Sequence, residues 1–367
     1  MKRILFLTTY ASPYRVAFFD ALGRIADVTV LYSDNIEKQT HRSRDWFVSG
    51  DGSAHIVQLS KCVATIRKKD LCTDVISWLK KPWDAIILCG YSSPTTMLAM
   101  AWLKAHGKRY WLEVDGGLIR PDSRLKHLYK KMLVGSADGW LSTGKATTDF
   151  LCHYGARRDR VKVYPFTSLS QADILPRVPT REEKLALRRE LGLEGDRMVL
   201  SIGQFIHRKG FDVLMKAAAE LSEPCEIYIV GGEPTEEYRQ LARELGLQNI
   251  HFHGFRKKEE LAKYYRAADL FVLPTREDIW GLVINEAMAY GLPVITTDRC
   301  VAGLELVEEG VSGWIVPAGD EKALAKAMGL ALSRDLAPMG AAALQRVAPY
   351  TIENMARVHL DIIEGRV

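Results

Sequence analysis

Long apolar runs are missing from this chain of 367 residues. A membrane-crossing helix needs about 20 predominantly apolar residues, and no stretch approaches that. The opening Met1-Lys2-Arg3-Ile4-Leu5-Phe6-Leu7 has the basic-then-apolar order of an export signal, but polar Thr8-Thr9-Tyr10 end it at once. A first buried strand accounts for it better. Cysteine is scarce too. The six, at 62, 72, 89, 152, 225 and 300, include no pair with the Cys-x-x-Cys spacing of a zinc site or redox couple. Scattered cysteines without an export signal lead us to expect reduced thiols and a cytoplasmic chain. Two phosphate-binding fingerprints are absent as well. The first strand runs into Thr8-Thr9-Tyr10-Ala11-Ser12-Pro13-Tyr14-Arg15 rather than Gly-x-Gly-x-x-Gly, which weighs against a nicotinamide or flavin cofactor in the first half. The lack of a Gly-x-x-x-x-Gly-Lys-Ser/Thr loop weighs against a P-loop nucleotidase.

What is present is an ordinary globular composition, 47% hydrophobic and 26% charged, at a length that suits two domains. The charge is uneven. Residues 1–175 hold 26 Lys and Arg against 16 Asp and Glu, whereas residues 176–367 hold 24 against 29. A basic first half suits an anionic partner, a phospholipid surface or a pyrophosphate-linked lipid, or is simply a solubilising surface.

Short apolar runs alternate with helical patterns throughout. Strands are expected at Arg3–Thr9, Asp27–Tyr32, Asp84–Leu88, Lys108–Val114, Gly139–Ser142 and Val161–Tyr164. Between them fall helices at Tyr14–Leu22, Thr95–Ala105 and Ala146–His153. A stretch with Pro165, Pro176 and Pro179 interrupts the pattern, and Thr180-Arg-Glu-Glu183 reads as a capping box that opens the next helix. Alternation resumes with strands at Met198–Gly203, Glu226–Val230, Ile250–Gly254, Leu270–Leu273, Pro293–Thr297 and Gly313–Val316. The expected fold is α/β, two Rossmann-like doubly wound domains facing across a cleft. Domain limits are expected at 1–170 and 171–350, with a C-terminal helix, 351–367, that returns to the first domain.

The chemistry concentrates in Pro274–Pro293. A strand ends at Pro274, a polar loop follows, and Gly281 opens a helix that contains Glu286. Glycine there lets a ligand approach the backbone, and the N–H groups of Gly281, Leu282 and Val283 suit an anion. Asp278 and Glu286 are poor phosphate ligands but good acceptors for sugar hydroxyls. The combination suits a nucleotide sugar. A second cluster, Ser201 to Gly210, brings Arg208 and Lys209 to the carboxyl end of a strand, where two cations can offset charge growing on a diphosphate leaving group.

These motifs resemble glycosyltransferase family 4, retaining enzymes of the GT-B fold, and in particular the bacterial surface-polysaccharide type. The family's Glu, seven residues, then Glu falls on Asp278 and Glu286, followed by Ala287-Met288-Ala289 and Gly291-Leu292-Pro293. Its segment after the first donor-domain strand matches Gly203-Gln204-Phe205 and Lys209-Gly210, and its Gly-Phe turn matches Gly254-Phe255. The resemblance implies that Glu286 binds the ribose, Asp278 the donor sugar, Lys209 and Arg208 the diphosphate together with the N–H groups of Leu282 and Val283, and the backbone at Gly254 and Phe255 the base. Gly203 and Gly281 complete the donor set.

It also implies transfer from a nucleoside-diphosphate sugar to an acceptor hydroxyl, in polysaccharide, lipopolysaccharide or glycolipid synthesis, without a metal or other cofactor. The implied partners are a nucleotide sugar and an acceptor saccharide or lipid-linked saccharide, with an anionic membrane as a further candidate and no nucleic acid. Two departures stand out: Asp278 is one methylene shorter than the family's Glu, and Gln204 stands where Arg is frequent. A nucleotide-sugar epimerase or a non-catalytic binding subunit remain the alternatives.

In the first half, Glu113 and Asp115 sit at the end of a strand, before Gly116-Gly117. Family members often carry a histidine near this place, so Asp115 or Glu113 is left to orient the acceptor hydroxyl. Asp115 also reads as a turn cap, and the pair as a metal-binding motif. Residues 120–134 place Leu125, Leu128, Tyr129, Met132 and Leu133 on one helical face among basic residues. That pattern fits a helix lying on an anionic membrane, and it equally fits a core helix with a soluble outer face.

Overall fold

The alternating pattern builds two parallel sheets, each wrapped by helices, in a computed structural model that describes residues 1–34, 50–66 and 68–367. The chain divides into two units. The first comprises Met1–Ser170 with Tyr350–Val367, and the second Gln171–Pro349.

The first unit contains β1 (Arg3–Thr8), α1 (Pro13–Gly23), β2 (Asp27–Tyr32), β3 (His55–Gln58), β4 (Cys62–Ile66), β5 (Lys69–Cys72), α2 (Val75–Leu79), β6 (Ala85–Cys89), α3 (Pro94–Ala105), β7 (Trp111–Val114), α4 (Arg124–Val134), β8 (Gly139–Ser142), α5 (Lys145–His153) and β9 (Val161–Val163). Its main sheet has the order β3-β2-β1-β6-β7-β8-β9, all parallel. β1 and β6 neighbour each other where the winding reverses, which is where open α/β sheets bind ligands. β1 is buried from Ile4 to Thr8 because helices cover both of its faces. Proline at the first turn starts α1, where its missing N–H costs nothing.

The second unit holds α6 (Arg181–Leu191), β10 (Met198–Ile202), α7 (Phe211–Ala219), β11 (Glu226–Val230), α8 (Glu236–Glu244), β12 (Ile250–His253), α9 (Lys258–Ala267), β13 (Leu270–Leu273), α10 (Leu282–Ala289), β14 (Val294–Thr297), α11 (Val301–Leu306), β15 (Gly313–Val316), α12 (Glu321–Leu332) and α13 (Ala337–Val347). Its sheet runs β12-β11-β10-β13-β14-β15, also parallel. This is the Rossmann order, with the winding reversing between β10 and β13. The capping box forms: the Thr180 hydroxyl accepts from Glu183 N–H, and the Glu183 carboxylate accepts from Thr180 N–H at 2.8 Å.

The last helix, α14 (Ile352–Ile363), belongs to the first unit and packs on α1. Its His359 is fully buried, with its ring 4.7 Å from Phe18 and 4.5 Å from Tyr164.

Two expectations need correction. Cys62 and Cys72 form a disulfide across the β4–β5 hairpin, so only Cys89, Cys152, Cys225 and Cys300 are free. The hairpin turn brings together two residues that their spacing did not mark. And the core-helix reading of 120–134 fails: of α4 only Leu133 and Val134 are buried. Among the described residues no helix is long and apolar enough to cross a membrane.

Candidate active site

In the second unit the winding reversal gathers the basic and acidic candidates. β10 ends at Ile202, and the chain passes Gly203 into a single helical turn, His207–Lys209. Gly210, at φ +71°, then opens α7. A Cβ on Gly210 would lie 2.1 Å from the Pro274 carbonyl oxygen, so only glycine lets this turn press against the end of β13. Gly203 lies against the stem of Lys209, where a Cβ would sit 3.3 Å from it.

The Lys209 ammonium pairs with Asp278 at 2.7 Å, both side chains being 12% exposed. Arg208, more exposed, reaches the same Asp278 oxygen at 3.3 Å and donates to the Glu277 carbonyl at 2.8 Å. Asp278 is itself held by the backbone: its N–H donates to the Arg299 carbonyl, and its carbonyl accepts from Val301 N–H. Buried hydroxyls pin the surrounding strand ends. Thr275 donates to the Arg208 carbonyl, Thr297 to the Thr275 carbonyl, and Ser201 to the Val272 carbonyl. A bidentate Arg276–Asp212 pair ties the loop after β13 to α7.

Gly281 caps α10 at φ +102°, and a Cβ there would lie 2.8 Å from Cys300 Sγ. Cys300 forms a backbone bridge with Asp278, so the start of α10 adjoins the Lys209–Asp278 pair. The first N–H groups of a helix lack intrahelical acceptors, which puts Leu282 and Val283 in place for an anion. Glu286 lies one turn further along and accepts a 2.8 Å hydrogen bond from Tyr265 of α9. Tyr265 is fully buried and stacks on Tyr290 with ring centres 5.2 Å apart. Burial and the Glu286 charge push its hydroxyl pKa well above the usual tyrosine value, so it stays a donor. Gly254 and Phe255 follow β12 at the same end of the sheet, with the Phe255 side chain exposed. Sequence reasoning found the cations, the acids and the glycines of this set but missed Tyr265 and the Arg276–Asp212 clamp. The available signal was the Tyr264-Tyr265 pair on α9.

In the first unit Asp115 enters an ion network. Arg15 of α1, 3% exposed, donates through Nη1 to Glu113 at 2.8 Å and through Nη2 to Asp115. Tyr164 donates to Asp115 at 3.2 Å, and the Cys89 thiol to Glu113 at 3.2 Å. His359 Nε2 lies 3.6 Å from Glu113 and has no hydrogen-bond partner. Burial penalises the Glu113 carboxylate, but Arg15 and then His359 outweigh it and hold its pKa below the usual range. The histidine that approaches Glu113 comes from α14 rather than from the strand end. Glu113 is enclosed, whereas the Asp115 side chain keeps 31% exposure.

Among the described residues, Glu194, Glu226 and His251 bring ligand atoms within 4.8 Å of one another. They cluster where β11 begins, at the opposite end of the strands from Lys209. The 2.7 Å His251–Glu226 contact and the stacking of His251 on Tyr228 account for this cluster without an ion.

Two Rossmann-like units, the second with its cations and acids at the winding reversal, define the GT-B class. Solved structures agree on the fold. Sucrose-phosphate synthase from Thermosynechococcus elongatus is 18% identical and superposes over 100% of this chain and 99% of its own with a TM-score of 0.77. HepE from Anabaena, solved in complex with UDP, is 18% identical over 99% and 100%, with a TM-score of 0.78. Residues 196–334 match the family profile described as glycosyl transferases group 1. Over this segment the chain is similar to that family. A D-inositol 3-phosphate glycosyltransferase of Xylanimonas cellulosilytica is 32% identical over 230 residues, 60% of this chain and 54% of that protein. The chain spans little more than half the length of such curated relatives.

Proposed function

We propose that the protein is a retaining glycosyltransferase that moves a sugar from a nucleoside diphosphate to an acceptor hydroxyl, in the synthesis of a surface polysaccharide or glycolipid. The observation that carries the reading is the Lys209–Asp278 pair beside the glycine-capped start of α10. Nucleotide-sugar binding is favoured by the Anabaena neighbour, which was solved with UDP.

In this reading the diphosphate enters against Lys209 and Arg208, with the N–H groups of Leu282 and Val283 completing the anion contacts. Asp278 accepts from a donor-sugar hydroxyl, and Glu286, oriented by Tyr265, accepts from the ribose hydroxyls. Gly254 and Phe255 meet the base. The bond from the anomeric carbon to the β-phosphate oxygen breaks as the acceptor oxygen bonds to that carbon. The leaving oxygen gains charge, which the two cations offset, and it takes the acceptor proton. We assign Asp115 to acceptor recognition in the first unit. No protein nucleophile and no metal enter this scheme.

The test is turnover. Purified protein is given each nucleoside-diphosphate sugar in turn with a lipid or saccharide extract, and nucleoside diphosphate release and product are followed by mass spectrometry. The reading expects release that depends on acceptor and a glycosylated product with the donor's anomeric configuration. Conversion of the nucleotide sugar without acceptor would instead mark an epimerase, and binding without turnover a non-catalytic subunit.

A further inference from the structure

Helix α4 carries an apolar face that the protein leaves uncovered. Leu125, Leu128, Tyr129 and Met132 follow one another at i, i+3, i+4 and i+7, so they form a single stripe along the helix. Their exposures are 82%, 64%, 47% and 61%. The Tyr129 hydroxyl reaches Met97 of α3, which keeps its ring at the border of the stripe. A lone exposed leucine needs no explanation, but a row of them along one helix does.

The charges around the stripe are of one sign. On the helical wheel Arg124 and Lys131 flank one side, and Lys126 and Lys130 the other. Residues 119–134 contain five Lys and Arg and a single acid, Asp122. That acid takes both Lys126 at 2.8 Å and Lys130 at 2.7 Å, which leaves the segment strongly positive. Beside the stripe lies a shallow groove lined by Ile119, Leu128 and the basic side chains Arg120, Arg124 and Lys131, with Asp122 at its wall. An apolar strip bordered by cations complements a surface that is apolar inside and anionic at its edge.

We propose that α4 docks the first unit on a bilayer containing anionic phospholipid. Leu125, Leu128 and Met132 enter the boundary of the acyl chains, while Arg124, Lys126 and Lys131 meet headgroup phosphates. This stands on the exposed helix alone and does not depend on the transfer reading.

The test is flotation of the full chain with vesicles of phosphatidylcholine, alone or mixed with phosphatidylglycerol. The protein is expected to float with the mixed vesicles and far less with phosphatidylcholine alone. Leu125→Asp combined with Met132→Asp is expected to weaken binding by about tenfold or more. Arg124→Gln with Lys131→Gln should weaken it by about fivefold for each cation removed. Both variants should melt like the parent, because the side chains face water. If the aspartate pair lowers the melting temperature, Leu125→Gln with Met132→Gln takes its place. The proposal is overturned if the parent chain fails to float, or if the apolar-face variant floats as the parent does. It is also overturned if that variant instead splits an oligomer seen by light scattering, which would make a second copy the occupant.

Discussion

Replacing Arg15 by Met removes a cation that two carboxylates share. The Arg15 side chain is 4% exposed and Glu113 is fully buried. Without the guanidinium, Glu113 keeps the Cys89 thiol at 3.2 Å and His359 at 3.6 Å but no fixed cation of comparable strength among the described residues. Breaking a buried pair by removing one partner costs about 3–5 kcal/mol, because the remaining charge stays desolvated. For a unit of this size, each kcal/mol lowers the melting temperature by about 2–4 °C, so the expected drop is about 6–20 °C. Arg15→Met combined with Glu113→Gln removes the stranded charge and should recover about 1–3 kcal/mol relative to the single variant. Calorimetry and urea unfolding of the parent, both singles and the double measure this cycle. A loss below about 1 kcal/mol for Arg15→Met, or a double no more stable than the single, would refute the idea that Glu113 is ionised and held by Arg15.

Three further outcomes follow from the same geometry. Because the folded pKa of Glu113 lies below the usual value, the unfolded chain binds more protons in acid; the stability from this group is complete above about pH 4.5 and is lost as pH falls towards the folded value, which unfolding midpoints across acid pH will show. Tyr265→Phe deletes the hydrogen bond that orients Glu286 and should weaken nucleotide affinity by about 1–2 kcal/mol by titration calorimetry, whereas unchanged affinity would detach Glu286 from the ribose. Gly281→Ala must adopt φ +102° and crowd Cys300 Sγ, so it should lose about 1–3 kcal/mol of stability and distort the anion site, and a variant as stable as the parent would contradict that geometry.

How legible the molecule was depends on burial. β1, β2, β10 and β13 stood out because strands covered on both faces read as continuous apolar runs such as Ile4–Leu7 and Leu270–Leu273. β3 and β4 went unseen because they are short and lie exposed, so their few apolar residues form no buried run; all five residues of β4 face solvent. The loop-to-helix motif from Pro274 to Gly291 was legible because its glycine, acids and helix period sit within one short segment. Tyr265 and Glu286 meet across 21 residues, and Arg15 and Glu113 across 98. Only the strand order brings such pairs together, and one sequence does not encode it locally. The amphipathic period of α4 was plain, but whether its apolar face was covered depended on how the helix sits on the sheet.

The most direct measurement is a calorimetric titration of nucleoside diphosphates into the parent and Lys209→Met chains. The account predicts that the parent binds at least one of them and that Lys209→Met weakens it by about 1.5–3 kcal/mol, the value of a charge-assisted hydrogen bond. Equal affinity in both chains would contradict the placement of the diphosphate at the Lys209–Asp278 pair.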